Sequence, residues 1–188
     1  EDRFVAILQF GGASGQGILS SGQVNRGYDL LSGEGTFDGG IFRRKTTSGK
    51  RNQDGYEAIW QKITGQKMIN PPPRYKEPVV MNPGHFAWRP VAGGAGVEQR
   101  HIGSFSERAT KIDFFRLARG ARRALPPEDH LRLLYVVKGT GACGRQPYRR
   151  HTSMELAPGE AARFMPKTAT EILSITIPSV VALGLKAA

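Results

Sequence analysis

One cysteine, Cys143, stands in 188 residues. It excludes an intrachain disulfide framework and any multi-cysteine zinc or iron–sulfur site made by this chain alone. The reducing cytoplasm is the compartment this usage favours. Long apolar runs are absent too: no stretch of about 18 residues suits a membrane-spanning helix, and Glu1-Asp2-Arg3 with its mixed sequel does not read as a signal peptide. Long helical periodicity is scarce, and acidic residues are few. Sixteen Asp and Glu against 27 Lys and Arg leave a net charge of +11, which attracts anions through the field of the whole molecule.

What is there is glycine, proline and short apolar alternation. With 24 Gly and 12 Pro, the chain favours brief strands joined by tight turns over a helical bundle, so the expected class is all-β. The basic residues fall into separate clusters, Arg43-Arg44-Lys45, Lys50-Arg51, Arg116 to Arg123 and Arg149-Arg150. They form no basic helix and no Cys/His finger spacing. Specific nucleic-acid binding is therefore not expected; most of these residues read as solvated surface charges, with a small anionic ligand as the other reading.

The character of the chain changes near Pro71-Pro72-Pro73, a stiff extended segment because each ring fixes φ. Residues 1–77 read as an N-terminal arm or partial domain with a Pro-rich linker, and 78–188 as the main domain. Within the arm, Tyr56, Ile59, Trp60 and Ile63 have helical spacing ahead of Gly65, although a strand fits nearly as well. Gly12-Ala13-Ser14-Gly15-Gln16-Gly17 follows an apolar stretch. Its G-x-x-G-x-G order reverses the dinucleotide fingerprint, and no Lys-Ser/Thr pair follows, so it reads as a loop.

In the main domain, Thr110 to Leu117, Leu131 to Lys138, Ala161 to Phe164 and Thr170 to Ile177 alternate or run apolar as strands do, with Pro126-Pro127-Glu128-Asp129 and Ala157-Pro158-Gly159-Glu160 as turns. This pattern resembles the cupin superfamily, small jelly-roll β-barrels whose first motif is G-x5-H-x-H-x3-4-E-x6-G. Gly120 and Gly139 stand at that motif's separation, Tyr135 to Gly141 reads like its strand and turn, and Pro158-Gly159-Glu160 like the opening of the second motif. The resemblance spans roughly residues 82–178. Tyr28 to Phe37 resembles a second strand and turn of this kind, as in a degenerate first cupin.

The resemblance implies a metal site that these residues lack. Pro126, Glu128 and Arg132 occupy the His, His and Glu positions of the first motif, and Thr170 or Glu171 the His position of the second. A fixed cation at Arg132 opposes a metal, so neither metal nor other cofactor is expected. The family then implies a metal-independent isomerase, epimerase or cyclase in which Glu128, His130 or Glu171 moves a proton while Arg132 holds an anionic oxygen. Arg132, Tyr135 and Ile175 are the expected contacts to a small anionic, partly apolar or aromatic molecule, and a homodimer is the expected assembly. Two alternatives stay open, a non-catalytic binding or structural module and a metal-dependent dioxygenase with a shifted site at Glu128, His130 and Glu171. His85, His101 and His151 read as loop or surface residues.

Overall fold

The computed structural model describes residues 18–46, 49–69, 76–105 and 110–179. The glycine cluster at Gly12 to Gly17 and the triple proline lie outside them. Helix α1 (Ser21–Leu31) starts on a capping box, with the Ser20 hydroxyl accepting from Gln23 N and the Gln23 side chain accepting from Ser20 N. Three short antiparallel strands follow, β1 (Gly35–Asp38), β2 (Ile41–Arg44) and β3 (Asn52–Asp54). Helix α2 (Gly55–Thr64) completes this part. The choice between helix and strand for α2 is made by its ends: Asp54 accepts from Glu57 N, and Gly65, at φ 68°, closes the last turn onto Gln61.

These elements enclose a core of their own, centred on Phe42, Ile59, Trp60 and Ile63. Gly27 brings α1 within reach of Ile59; a β-carbon there would lie 2.5 Å from the Ile59 Cγ2. The likeness of Tyr28 to Phe37 to a cupin strand and turn is corrected here, since Tyr28 to Leu31 is the last turn of α1. Leu31 is buried in the helical core, so a period of 3.6, not 2, governs this segment.

The rest is β-structure. After a 3₁₀ turn at Pro83–His85 come β4 (Arg89–Pro90), β5 (Val97–Ser104), β6 (Lys111–Leu117), β7 (Arg123–Leu125) and β8 (His130–Lys138). Then follow β9 (Gly141–Cys143), β10 (Gln146–Tyr148), β11 (Ser153–Leu156), β12 (Ala162–Pro166) and β13 (Thr170–Pro178). One sheet has the order β11-β8-β13-β6-β5-β4 and the other β10-β9-β12-β7, all antiparallel. From β6 to β13 the first strand pairs with the eighth, the eighth with the third and the third with the sixth. The second pairs with the seventh, the seventh with the fourth and the fourth with the fifth. That is jelly-roll order, and the expected all-β jelly roll is formed as two facing sheets.

The larger sheet is apolar on both faces. Its inner face sets Phe115, Leu117, Leu134, Val136 and Ile172 against Phe164, Tyr148 and Leu125 of the smaller sheet. Its outer face carries Ile112, Phe114, Leu173 and Ile175, partly covered by Phe86, Trp88 and Ile18. Trp88 lies under two guanidinium groups, Arg100 at 4.3 Å and Arg116 at 4.1 Å from its ring centre, with Glu98 3.6 Å from Arg116. The N-terminal part meets this sheet through Ile18 N, which donates to Pro178 O at 2.9 Å. Among the described residues no helix is long and apolar enough to cross a membrane.

Candidate functional site at one end of the jelly roll

Strand alternation determines what the inner face presents. On β8 the inward set is Arg132, Leu134 and Val136, and on β13 their register partners are Thr176, Ser174 and Ile172. On β6 the partners of Thr176, Ser174 and Ile172 are Lys111, Asp113 and Phe115. On β5, His101 stands opposite Asp113 and Gln99 opposite Phe115. The inner face is thus apolar at one end and polar at the other, where Arg132, Thr176, Ser174, Asp113 and His101 follow one another across four strands.

Arg132 is 3% exposed. Its Nη2 donates to Glu160 O at 2.6 Å, its Nη1 lies 3.8 Å from Glu128 Oε1, and its buried Nε has no hydrogen-bond partner. Arg123, on the facing sheet, lies over the Phe115 ring at 4.7 Å, and its Nε is likewise buried and unpartnered. Burial lowers the Arg123 pKa from the usual guanidinium value, against the opposing pull of Asp113 and Glu128. The group stays charged at neutral pH, because a guanidinium begins so far above it. Arg123 thus feels the charges of Asp113 and Glu128, and Arg132 that of Glu128.

The second half of the site is held more tightly. Asp113, 4% exposed, accepts from Gln99 Nε2 at 2.8 Å and pairs through the same Oδ1 with His101 Nδ1 at 2.8 Å. A buried carboxylate needs such donors to remain an anion. The His101 side chain is half-exposed, and its Nε2 lies 3.4 Å from Ser104 Oγ.

The residues expected from sequence separate here. Glu128 and Arg132 are brought together, and His130 opens β8 opposite Pro178. Glu171 is not with them: it stands between Arg116 and Lys138, five residues along β13 from the partner of Arg132, on the order of 16 Å away. The expected grouping of Tyr135 and Ile175 with Arg132 is also corrected. Both point to the other face, where they and Leu133, Met154, Ser153 and Leu173 line a depression of 410 Å³. Tyr135 Oη there meets His151 Nδ1 at 2.5 Å. The reason is parity, since odd and even positions of a strand face opposite ways.

Asp113, Gln99, Ser104 and Arg123 carry no reading from the sequence, and His101, expected as a loop or surface residue, is corrected to a strand residue paired with Asp113. A usable signal was Asp113, a lone acid among Ile112, Phe114 and Phe115. Such a residue in a doubly buried strand must have partners.

The metal of metal-binding cupins does not fit these residues. Arg132, which the resemblance puts at a ligand position, is a buried guanidinium, Glu171 is remote, and among the described residues no three His, Cys, Asp or Glu side chains converge as ligands.

No family model matches the chain, and no curated protein matches it in sequence. Solved structures resemble it over about half its length. The polyketide cyclase RemF from Streptomyces resistomycificus is 12% identical, with 54% of this chain and 80% of that one covered and a TM-score of 0.46. An RmlC-like cupin from Shewanella frigidimarina is 15% identical over 51% and 86%, with a TM-score of 0.44. An acetylacetone dioxygenase from Acinetobacter johnsonii is 12% identical over 60% and 80%, with a TM-score of 0.48. The jelly-roll order of the strands stands on the pairing of the sheets themselves.

Proposed function

We propose that this cupin-like protein binds a small anionic, partly apolar or aromatic molecule between its sheets, at the end where Arg123 and Arg132 lie, and acts on it as a metal-independent isomerase, epimerase or cyclase. The observation that carries the reading is Arg132, buried with an unpartnered Nε and a carboxylate, Glu128, 3.8 Å from its Nη1. A guanidinium offers a carboxylate or enolate a fixed fork of donors, and in a sheltered site each such bond is stronger than in water. Arg132 holds the anionic oxygen and stabilises charge that develops on it. Glu128, half-exposed and within reach of the same space, accepts and returns the proton. The inward-facing Leu134 and Phe115 favour a flat apolar body over a sugar.

The test is calorimetric titration with a panel of aromatic and aliphatic carboxylates, with neutral amides of the same shapes as controls. Carboxylate binding that is lost in Arg132→Met supports the reading. Binding to none, or equal binding of acid and amide, places the chain among non-catalytic modules. This reading also takes a second copy of the chain as the partner of the outer face around Leu133 and Tyr135, which light scattering checks; a monomer at high concentration removes that part.

A further inference from the structure

We propose that Ser104, His101 and Asp113 form a nucleophile–base–carboxylate relay able to transfer acyl groups from small esters or thioesters. This activity is separate from anion binding at Arg132. Three residues apart on a regular strand, His101 and Ser104 would point to opposite faces. The register of β5 against β6 shifts between His101 and Gly103, so that His101 faces Asp113 while Ser104 faces Lys111. The bulge puts both side chains on the inner face, the kind of re-aiming that bulges provide near sites.

The contacts run in the order the chemistry needs. The Asp113 carboxylate, buried and fixed by Gln99 Nε2, takes the proton-bearing Nδ1 of His101 at 2.8 Å. That hydrogen bond sets the tautomer and leaves Nε2 free to accept. Ser104 Oγ lies 3.4 Å from Nε2, the loose separation usual before substrate arrives, and it is exposed, as a nucleophile must be. Lys111 is the register partner of Ser104 on the neighbouring strand. Triads are recognised by geometry and role, not by chain order.

The step balances without further reagents. Ser104 Oγ bonds to the acyl carbon as its proton passes to His101 Nε2 and the carbonyl electron pair moves onto oxygen. Collapse expels the alcohol or thiol, which takes that proton, and water then hydrolyses the acyl-serine by the same route.

The experiment uses an alkyl fluorophosphonate, which bonds to an activated serine with loss of fluoride, followed by intact mass and peptide mapping. One adduct at Ser104 is expected. It should be absent in Ser104→Ala and form on the order of 100-fold more slowly in His101→Gln. Asp113→Asn should slow it similarly. Because Asp113 is buried and its variant can unfold, the Ser104 and His101 variants decide, each checked by circular dichroism. No adduct, an adduct elsewhere, or wild-type labelling of His101→Gln overturns the proposal. Labelling needs no anion at Arg132, so failure of the carboxylate titrations and failure of this test are distinguishable.

Discussion

Arg132 Nη2 and the carbonyl oxygen of Glu160 are 2.6 Å apart, while the Glu160 carboxylate accepts from Ala157 N at 2.8 Å. One residue thus closes its own turn with its side chain and holds the buried guanidinium with its backbone. The turn at Pro158-Gly159 therefore positions Arg132.

Replacing Arg132 by Met keeps bulk and removes the donors. Carboxylate affinity is expected to fall by about 1.5–3 kcal/mol, the range for hydrogen bonds to charged groups. Folding stability should drop less, by about 0.5–1.5 kcal/mol, because the exposed turn can turn to water. Titration calorimetry and urea unfolding read the two separately. A stability loss that matches the affinity loss would make Arg132 a scaffold residue.

Gly139 ends β8 at φ 95°, and a β-carbon there would lie 2.6 Å from Ala169 O and 2.7 Å from Thr170 Cα, both backbone atoms. Gly144, in the β9–β10 hairpin, has φ 59° and open space around it. Gly139→Ala should therefore cost about 2–3 kcal/mol, combining strain with a clash that cannot relax. Gly144→Ala pays only the left-handed penalty, about 1 kcal/mol. Equal urea midpoints for the two variants would show that the chain near Thr170 gives way.

Alkali should destabilise the protein before acid chemistry of Lys or Arg enters. Burial pushes the Cys143 thiol and the Tyr56 and Tyr148 phenols above their usual values, with hydrogen bonds involving Arg163, Leu19 and Thr170 opposing it in turn. A raised folded pKa means that the folded state keeps a proton the unfolded state releases. Their contribution is complete below the unfolded values and is lost as pH rises through the folded ones, so stability should decline from about pH 8.5 upward. Cys143→Ser should flatten the start of that decline. Iodoacetamide should also modify the native thiol more slowly than the unfolded one.

How much of this was legible depends on what each strand buries. Strands β8 and β13 announce themselves as apolar runs bounded by Gly139 and Pro178, and the turns between β6 and β13 carry Gly and Pro at the expected places. Their faces were not legible. Both strands are buried on both sides, so hydrophobic alternation does not mark which set of residues points inward. That is why the sequence groups Tyr135 and Ile175 with Arg132. Strand β5 was missed for the opposite reason: Val97-Glu98-Gln99-Arg100-His101 has little apolar content, and the following bulge breaks its period. The relay at His101 rests on that irregular strand. Helix α1, with Gly22 and Gly27 inside it, is a weak helix by propensity. It is fixed by its capping box and by packing on α2.

The same helix leads to the last expectation. Glu155 on β11 accepts from Ser21 N at 2.9 Å and from Ser21 Oγ at 2.5 Å, across 134 positions of sequence. A carboxylate from the jelly roll therefore sits at the first turn of α1, which has no acidic residue of its own. Free backbone donors and the positive end of the helix dipole meet there, so hydrogen bonding and charge both contribute. Glu155→Gln keeps an acceptor and removes the charge, and should cost about 0.3–1 kcal/mol at low salt, with the loss shrinking as salt screens the dipole. Glu155→Ala removes both and should cost about 1–2 kcal/mol, with a remainder that salt does not erase. Urea unfolding at two ionic strengths measures both. If both variants unfold with the wild type at either salt, the contact holds α1 no more firmly than water does.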